Sequence, residues 1–192
     1  MNYYKILNKK ECHKKFQYKT GLNIDSQEFK PFGDCEPGGI YFSKEDILYF
    51  LDYGPWIRKV TIPKDARVYK NPGSPKKWKA DKIILSEREK ITAEVIKRLI
   101  DEGADPTVND SDALRWAVRN GYTDIVKLLI PVSDAKAKNN IALYTAARNG
   151  YIDIVKLLIP VSNPIDNSTI RFCKEYCTDQ EIINLIKTYK KE

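Results

Sequence analysis

The residues with the most chemical potential form the turn Gly33-Asp-Cys-Glu-Pro-Gly-Gly39, where glycines flank a thiol and two carboxylates. Such a turn can cradle a phosphate on its backbone N–H groups or present Cys35 as a nucleophile. Two features oppose the nucleophile. No histidine lies near it in sequence to take its proton, and the adjacent Glu36 carboxylate raises a thiol pKa rather than lowering it. The chain has one histidine, His13, which follows Cys12. Together with Cys35 these give three soft ligands, one short of a structural zinc site and without C-x-x-C framing. Cys173 and Cys177 supply two ligands only, and their helical spacing reads as core thiols. Walker, dinucleotide-binding, nucleophile-elbow and zincin signatures are absent. The sequence therefore assigns no catalytic, metal-binding or cofactor-binding residue. The expectation is a chain that is not an enzyme; the rival reading is an enzyme centred on the Gly33–Gly39 turn.

A second stretch, Tyr69-Lys-Asn-Pro-Gly-Ser-Pro-Lys-Lys-Trp-Lys79, carries four lysines, an aromatic ring and no acid. Lys70, Lys76, Lys77 and Lys79 can follow a phosphate backbone while Trp78 stacks on a base. The alternative is a flexible, solvated loop. Overall the 192 residues hold 33 Lys+Arg against 26 Asp+Glu, a net +7 that is modest for a nucleic-acid binder. That excess sits entirely in the first half: residues 1–85 carry 17 basic and 10 acidic side chains, residues 86–192 carry 16 of each. With 42% apolar residues the chain can bury a core. No apolar run approaches the roughly 18 residues that span a bilayer. The polar, lysine-rich start argues against a secretory signal. An intracellular protein with reduced thiols and no membrane contact is expected.

The elements that position these groups divide the chain in two. Residues 112–133 read DALRWAVRNGYTDIVKLLIPVS and residues 141–162 read IALYTAARNGYIDIVKLLIPVS; at an offset of 29, 17 of the 22 positions are identical. Repeats of this length mean stacked supersecondary units. In each copy Leu114, Ala117 and Val118, or Leu143, Ala146 and Ala147, make a small-residue helical face. Gly121 and Gly150 end that helix in left-handed geometry. Ile125, Val126, Leu128 and Leu129, with Ile154, Val155, Leu157 and Leu158, form the second helix, which Asp124 and Asp153 start and Pro131 and Pro160 close. The shared stretch A-L-x-x-A-x-x-N-G-Y-x-D-I-V-K-L-L-I resembles the ankyrin repeat. Glu94–Asp105 resembles a degenerate second helix with its G-A-D turn, and 169–187 a closing pair. The period of 29 departs from the family's usual length of about 33. The T-P-L-H tetrad is missing, with Arg115 and Tyr144 where its histidine would stand, so shorter loops without hairpin fingers are expected. The resemblance implies partner binding on the inner helices through Arg115, Trp116, Arg119, Tyr144, Thr145 and Arg148. The alternative for Trp116 is packing against the 86–105 segment.

Residues 1–85 show no repeat. Ile40–Phe42, Ile57–Ile62 and Ala66–Tyr69 read as strands, Ile83–Leu85 as a last short strand or the entry to the repeats, and Ser43–Leu51 as a short helix capped by Ser43 with Asp46 three residues on. The string GLNID…FKPFGDCEPGGIYF…WIRKVTIP…KWKADKIIL resembles the leader domain that precedes ankyrin repeats in giant-virus (mimivirus-like) proteins. That resemblance implies a viral protein expressed in a host cell and no particular activity. The expected architecture is an α+β N-terminal domain over residues 1–87, followed by an all-α, ankyrin-like helical repeat stack over 88–192 with about three helix pairs. The expected function is a protein–protein interaction scaffold for an unidentified host or viral protein. Enzymatic activity of the leader, or nucleic-acid binding by the 69–79 stretch, is the alternative.

Overall fold

The computed structural model describes residues 2–13, 16–32, 36–163 and 167–189, without the side chains of 167–169, 173 and 174. Cys35, the start of its glycine turn and the Cys173 thiol thus lie outside the described residues. The chain divides into two compact units, Met1–Asp105 and Pro106–Glu192.

The first unit is built on an antiparallel sheet. Its strands are β1 (Tyr3–Leu7), β4 (Gly21–Ile24), β5 (Ile40–Ser43), β6 (Trp56–Thr61), β7 (Val68–Lys70), β8 (Lys77–Ala80), β9 (Lys82–Leu85) and β10 (Glu89–Lys90). The spatial order is β4-β9-β6-β1-β5-β8-β7, with β10 also paired to β6. A separate hairpin joins β2 (Cys12–His13) to β3 (Phe16–Gln17). Alternation along the strands sends Leu7, Ile40, Phe42, Val60, Trp78, Ala80, Ile83 and Leu85 into one core, where Tyr18 joins them. The Tyr3 ring meets Phe42 and Trp78 edge-on at 5.3 and 5.2 Å, a geometry that the ring quadrupoles favour. Helix α1 (Ala93–Asp101) belongs to this unit. The Thr92 hydroxyl accepts the Val95 N–H at its start, and Glu102 at its end accepts hydrogen bonds from Asn2, just ahead of the first strand, and from Tyr4 within it.

Two local expectations change. Ser43 does not cap a helix: it ends β5, and its hydroxyl donates to the Lys76 carbonyl at 2.7 Å. The Asp46 carboxylate accepts the Lys76 N–H at 2.6 Å, so the pair clamps a distant turn, and Ile47–Tyr53 winds as a 3-10 helix without a side-chain cap. The 69–79 stretch is a β7–β8 hairpin rather than a flexible loop. Strand alternation there puts Trp78 on the core side at 8% exposure and buries Lys79 completely.

The second unit is helical throughout its described residues: α2 (Val108–Arg119), α3 (Thr123–Leu129), α4 (Ala137–Arg148), α5 (Ile152–Leu158), α6 (Asn167–Tyr176) and α7 (Gln180–Tyr189). Short 3-10 turns at Ile130–Val132 and Ile159–Val161 contain the two prolines. Hairpin fingers are absent from the described loops. At each helix stop the sequence acts as read: Gly121 and Gly150 have φ of +71° and +75°. The Gly121 N–H bonds Val118 and the Tyr122 N–H bonds Ala117, and residues 150 and 151 repeat this; this is the double bond of a Schellman cap. Ile125, Val126 and Leu129, with Ile154, Val155 and Leu158, are buried, whereas Leu128 is only half-buried.

Candidate protein-binding face of the repeats

The inner helices α2 and α4 are positioned by a device absent from the sequence reading. Asn109, Asp110 and Ser111 all hold left-handed dihedrals (Asp110: φ 56°, ψ 46°), and so do Lys138, Asn139 and Asn140, 29 residues on (Asn139: φ 56°, ψ 54°; Asn140: φ 62°, ψ 27°). Left-handed turns cost about 1–2 kcal/mol per residue for most side chains, less for Asn and Asp. The last residue of each turn is buried and gains a partner. The Ser111 hydroxyl accepts the Asp134 N–H at 2.8 Å, and the Asn140 side-chain oxygen accepts the Asn163 N–H at 2.8 Å. Each turn thus ties one helix start to the loop entering the following pair, and the regular right-handed helix begins at residue 112 or 141.

From those starts the six expected contact residues fall into three environments. Arg119 and Arg148, equivalent in the two copies, are exposed. Arg115, Tyr144 and Thr145 are half-buried. The Arg115 guanidinium donates to the Asp110 carbonyl at 2.7 Å and to the Asp112 carboxylate at 2.6 Å, and the Thr145 hydroxyl donates to the Ile141 carbonyl at 2.7 Å. Trp116 differs from the expectation of an exposed anchor: it is 8% exposed, with its ring 5.2 Å from that of Tyr122. Its large apolar area is already removed from water, so the ring is not an open anchor for a partner.

The sequence reading missed the aromatic row that continues from Tyr144. The Tyr144 and Phe172 rings are 4.8 Å apart, as are those of Phe172 and Tyr176. The i,i+4 spacing of Phe172 and Tyr176 was the available signal. A hydrogen bond to Glu175 holds the Tyr176 hydroxyl above its ordinary pKa, and the charge of Arg148 opposes that shift. Arginine beside aromatic rings is the chemistry of a polypeptide contact, since both types are over-represented among interface hot spots.

The other sequence candidates are dispersed. Gly39 donates its N–H to the Asp25 carboxylate at 2.7 Å. A Cβ at Gly39 would lie 2.7 Å from Cγ of Lys79, so this glycine admits the buried lysine stem below it. Cys12 is half-buried on β2, and Cys177 is buried with its thiol on the Asp179 carbonyl at 3.6 Å. Among the described residues no three His, Cys, Asp or Glu side chains gather as metal ligands do. With Trp78 in the core, base stacking by that ring is sterically closed; Lys70 and Lys76 are exposed. No helix among the described residues is long and apolar enough to cross a membrane.

The family model for ankyrin repeats (three copies) matches residues 84–169. Three proteins of Acanthamoeba polyphaga mimivirus are similar to the chain. Ankyrin repeat protein R229 is 42% identical over 118 residues, which are 57% of this chain and 38% of that protein. Uncharacterized protein R869 is 38% identical over 133 residues, 67% of this chain and 96% of that protein. Ankyrin repeat protein R868 is 34% identical over 134 residues, 67% of this chain and 66% of that protein. The chain thus spans well under half of the first relative and nearly all of the second.

Proposed function

We propose, from its membership of the ankyrin-repeat proteins, that this chain is a non-enzymatic protein–protein interaction scaffold of a virus, acting inside a host cell. Its mimivirus relatives support the viral origin. The observation that carries the reading is the exposed pair Arg119 and Arg148 at equivalent positions, with the Tyr144–Phe172–Tyr176 row continuing from the second copy. Stacked helices bury their cores against neighbours and leave such a face rigid, so a partner loses little entropy to protein reorganisation on docking. Arg115 and Thr145 act as pre-positioned polar contacts, and Trp116 supports the face from beneath. The partner is a host or viral protein.

The test compares the full chain with an Arg119→Glu/Arg148→Glu variant, each captured from host lysate with and without nuclease. The expected result is a set of proteins retained after nuclease and lost from the variant. Equal recovery by the variant, or loss of all bound protein on nuclease treatment, overturns the reading.

A further inference from the structure

The sheet of the first unit ends on two edges that differ in chemistry. Its spatial order runs from β4 to β7, so each of these strands has one side without a neighbouring strand among the described residues. β7 carries the exposed Lys70, a charge of the kind that keeps further strands from adding to an edge. β4 reads Gly-Leu-Asn-Ile and holds neither a charge nor a proline.

Register fixes what β4 offers. Its pairs with β9 run Gly21–Leu85, Leu22–Ile84, Asn23–Ile83 and Ile24–Lys82. One step further in the same register the Asp25 N–H bonds the Asp81 carbonyl at 2.9 Å. Hydrogen-bonded and non-bonded pairs alternate along an antiparallel ladder. Residues 21, 23 and 25 therefore bond β9, and the N–H and C=O groups of Leu22 and Ile24 point to the open side. Among the described residues those groups have no backbone partner. The same two residues expose their side chains, Leu22 at 47% and Ile24 at 56%. Ile84, opposite Leu22 and also exposed, continues the apolar patch, because directly paired residues share a face.

The charge on this face has one sign. By the period of two, β4, β9 and β6 present Leu22, Ile24, Lys82, Ile84, Ile57, Lys59 and Thr61 there, two lysines and no acid. Lys82 holds Asp65 of the preceding turn as an ion pair, while Lys59 is exposed. Lys19, exposed as well, comes just before the strand. The carboxylate of Asp25, at the other end, is turned to the N–H groups of Gln27 and Gly39.

We propose that the open edge of β4 takes an extended, acidic segment of another protein as an added strand. The segment's backbone completes the ladder on Leu22 and Ile24, and its alternate apolar side chains cover Leu22, Ile24 and Ile84. Its carboxylates meet the field of Lys19, Lys59 and Lys82, which favours an acidic over a basic partner. The edge belongs to the first unit, so its failure leaves the scaffold reading of the repeat face standing.

Fluorescence anisotropy on the full chain at low salt tests this with a labelled peptide, Glu-Glu-Val-Thr-Val-Thr-Val-Glu-Glu. Saturable binding is expected. The same peptide with its central backbone amides N-methylated should bind about tenfold more weakly or worse, since it cannot complete the ladder. A version with lysine in place of glutamate should also be weaker by about tenfold, and Lys19→Glu/Lys59→Glu should close that gap. Ile24→Pro removes an outward N–H without touching the bonds to β9 and should abolish binding. Leu22→Lys, which keeps every backbone group, should weaken it about tenfold. Sedimentation equilibrium of the chain alone should show a monomer. The proposal is overturned if the acidic peptide does not bind, if N-methylation or lysine leaves its affinity unchanged, or if both edge variants keep full affinity. A dimer of the chain alone that Ile24→Pro dissolves also overturns it, because a second copy then holds the edge.

Discussion

The two units are held together by different physics. In the strand unit, charge is buried: Arg58 and Glu11, 4% and 8% exposed, form an ion pair at 2.8 Å, and Arg88 adds a second bond to the same carboxylate at 3.1 Å. Lys79 and Lys5 are buried as well. In the repeat unit the buried side chains are nearly all aliphatic, and the polar work falls to helix stops and to Ser111 and Asn140. Helical pairs meet neighbours through short-range, repeated contacts, so apolar stripes and caps suffice. A sheet whose partners lie far apart in sequence has cavities and turns to reconcile, and long charged side chains bridge them.

That contrast can be broken most sharply at the Arg58–Glu11 pair. Removing one partner of a buried pair leaves the other uncompensated, so Arg58→Met should destabilise the strand unit by about 3–5 kcal/mol, read as a shift of the urea midpoint. A loss below about 1 kcal/mol would equate this pair with surface ion pairs. The same pair sets an acid limit. Hydrogen bonding from Arg58, and then its charge, holds the Glu11 carboxyl below its ordinary value of 4.5 despite burial. A depressed carboxylate stabilises the fold above its unfolded pKa and loses that contribution as pH falls through the folded one. On acidification below about pH 4.5 the strand unit should therefore weaken, and Glu11→Gln should flatten that dependence in an acid titration followed by near-ultraviolet circular dichroism.

Within the repeat unit, near-identical copies give the next test. Gly121 and Gly150 share positive φ, but a Cβ at Gly121 would come within 3.0 Å of the Tyr151 ring, whereas Gly150 has nothing within 4 Å. Both Val substitutions incur backbone strain of order 1–3 kcal/mol. Gly121→Val should exceed Gly150→Val by about 1 kcal/mol through the added overpacking. Equal losses in thermal melting would show that Tyr151 gives way freely. The smallest effect is expected at the left-handed turns. Ser111→Ala and Asn140→Ala each remove an acceptor and should cost about 1 kcal/mol, with Asn140 the larger because its side chain also donates to the Asn163 carbonyl at 3.4 Å. Hydrogen exchange at the Asp134 and Asn163 amides checks each loss locally.

How far the sequence could be read follows the same division. In the repeats, Gly121, Gly150 and the spacing of Ile125, Val126 and Leu129 specified stops and core faces, because each constraint is satisfied within one or two turns of helix. Leu128 escaped only because a stripe's edge depends on how closely the next pair approaches. The candidate face was partly legible: Arg119 and Arg148 stand exposed at equivalent positions of the two copies, while Phe172 and Tyr176 were overlooked in a segment where the repeat is degenerate.

Sequence by itself determined the repeat, its family, the presence of strands before residue 86 and the helical nature of the second half. Tertiary structure alone decided that Trp78 is core, that Ser43 and Asp46 clamp Lys76 about thirty residues away, and that β4 ends the sheet. The physical reason is range. A helix stop or an apolar stripe is fixed by bonds between residues a few positions apart, whereas strand register, buried lysines and cavities depend on which distant segments become neighbours, and residue types alone do not encode that choice.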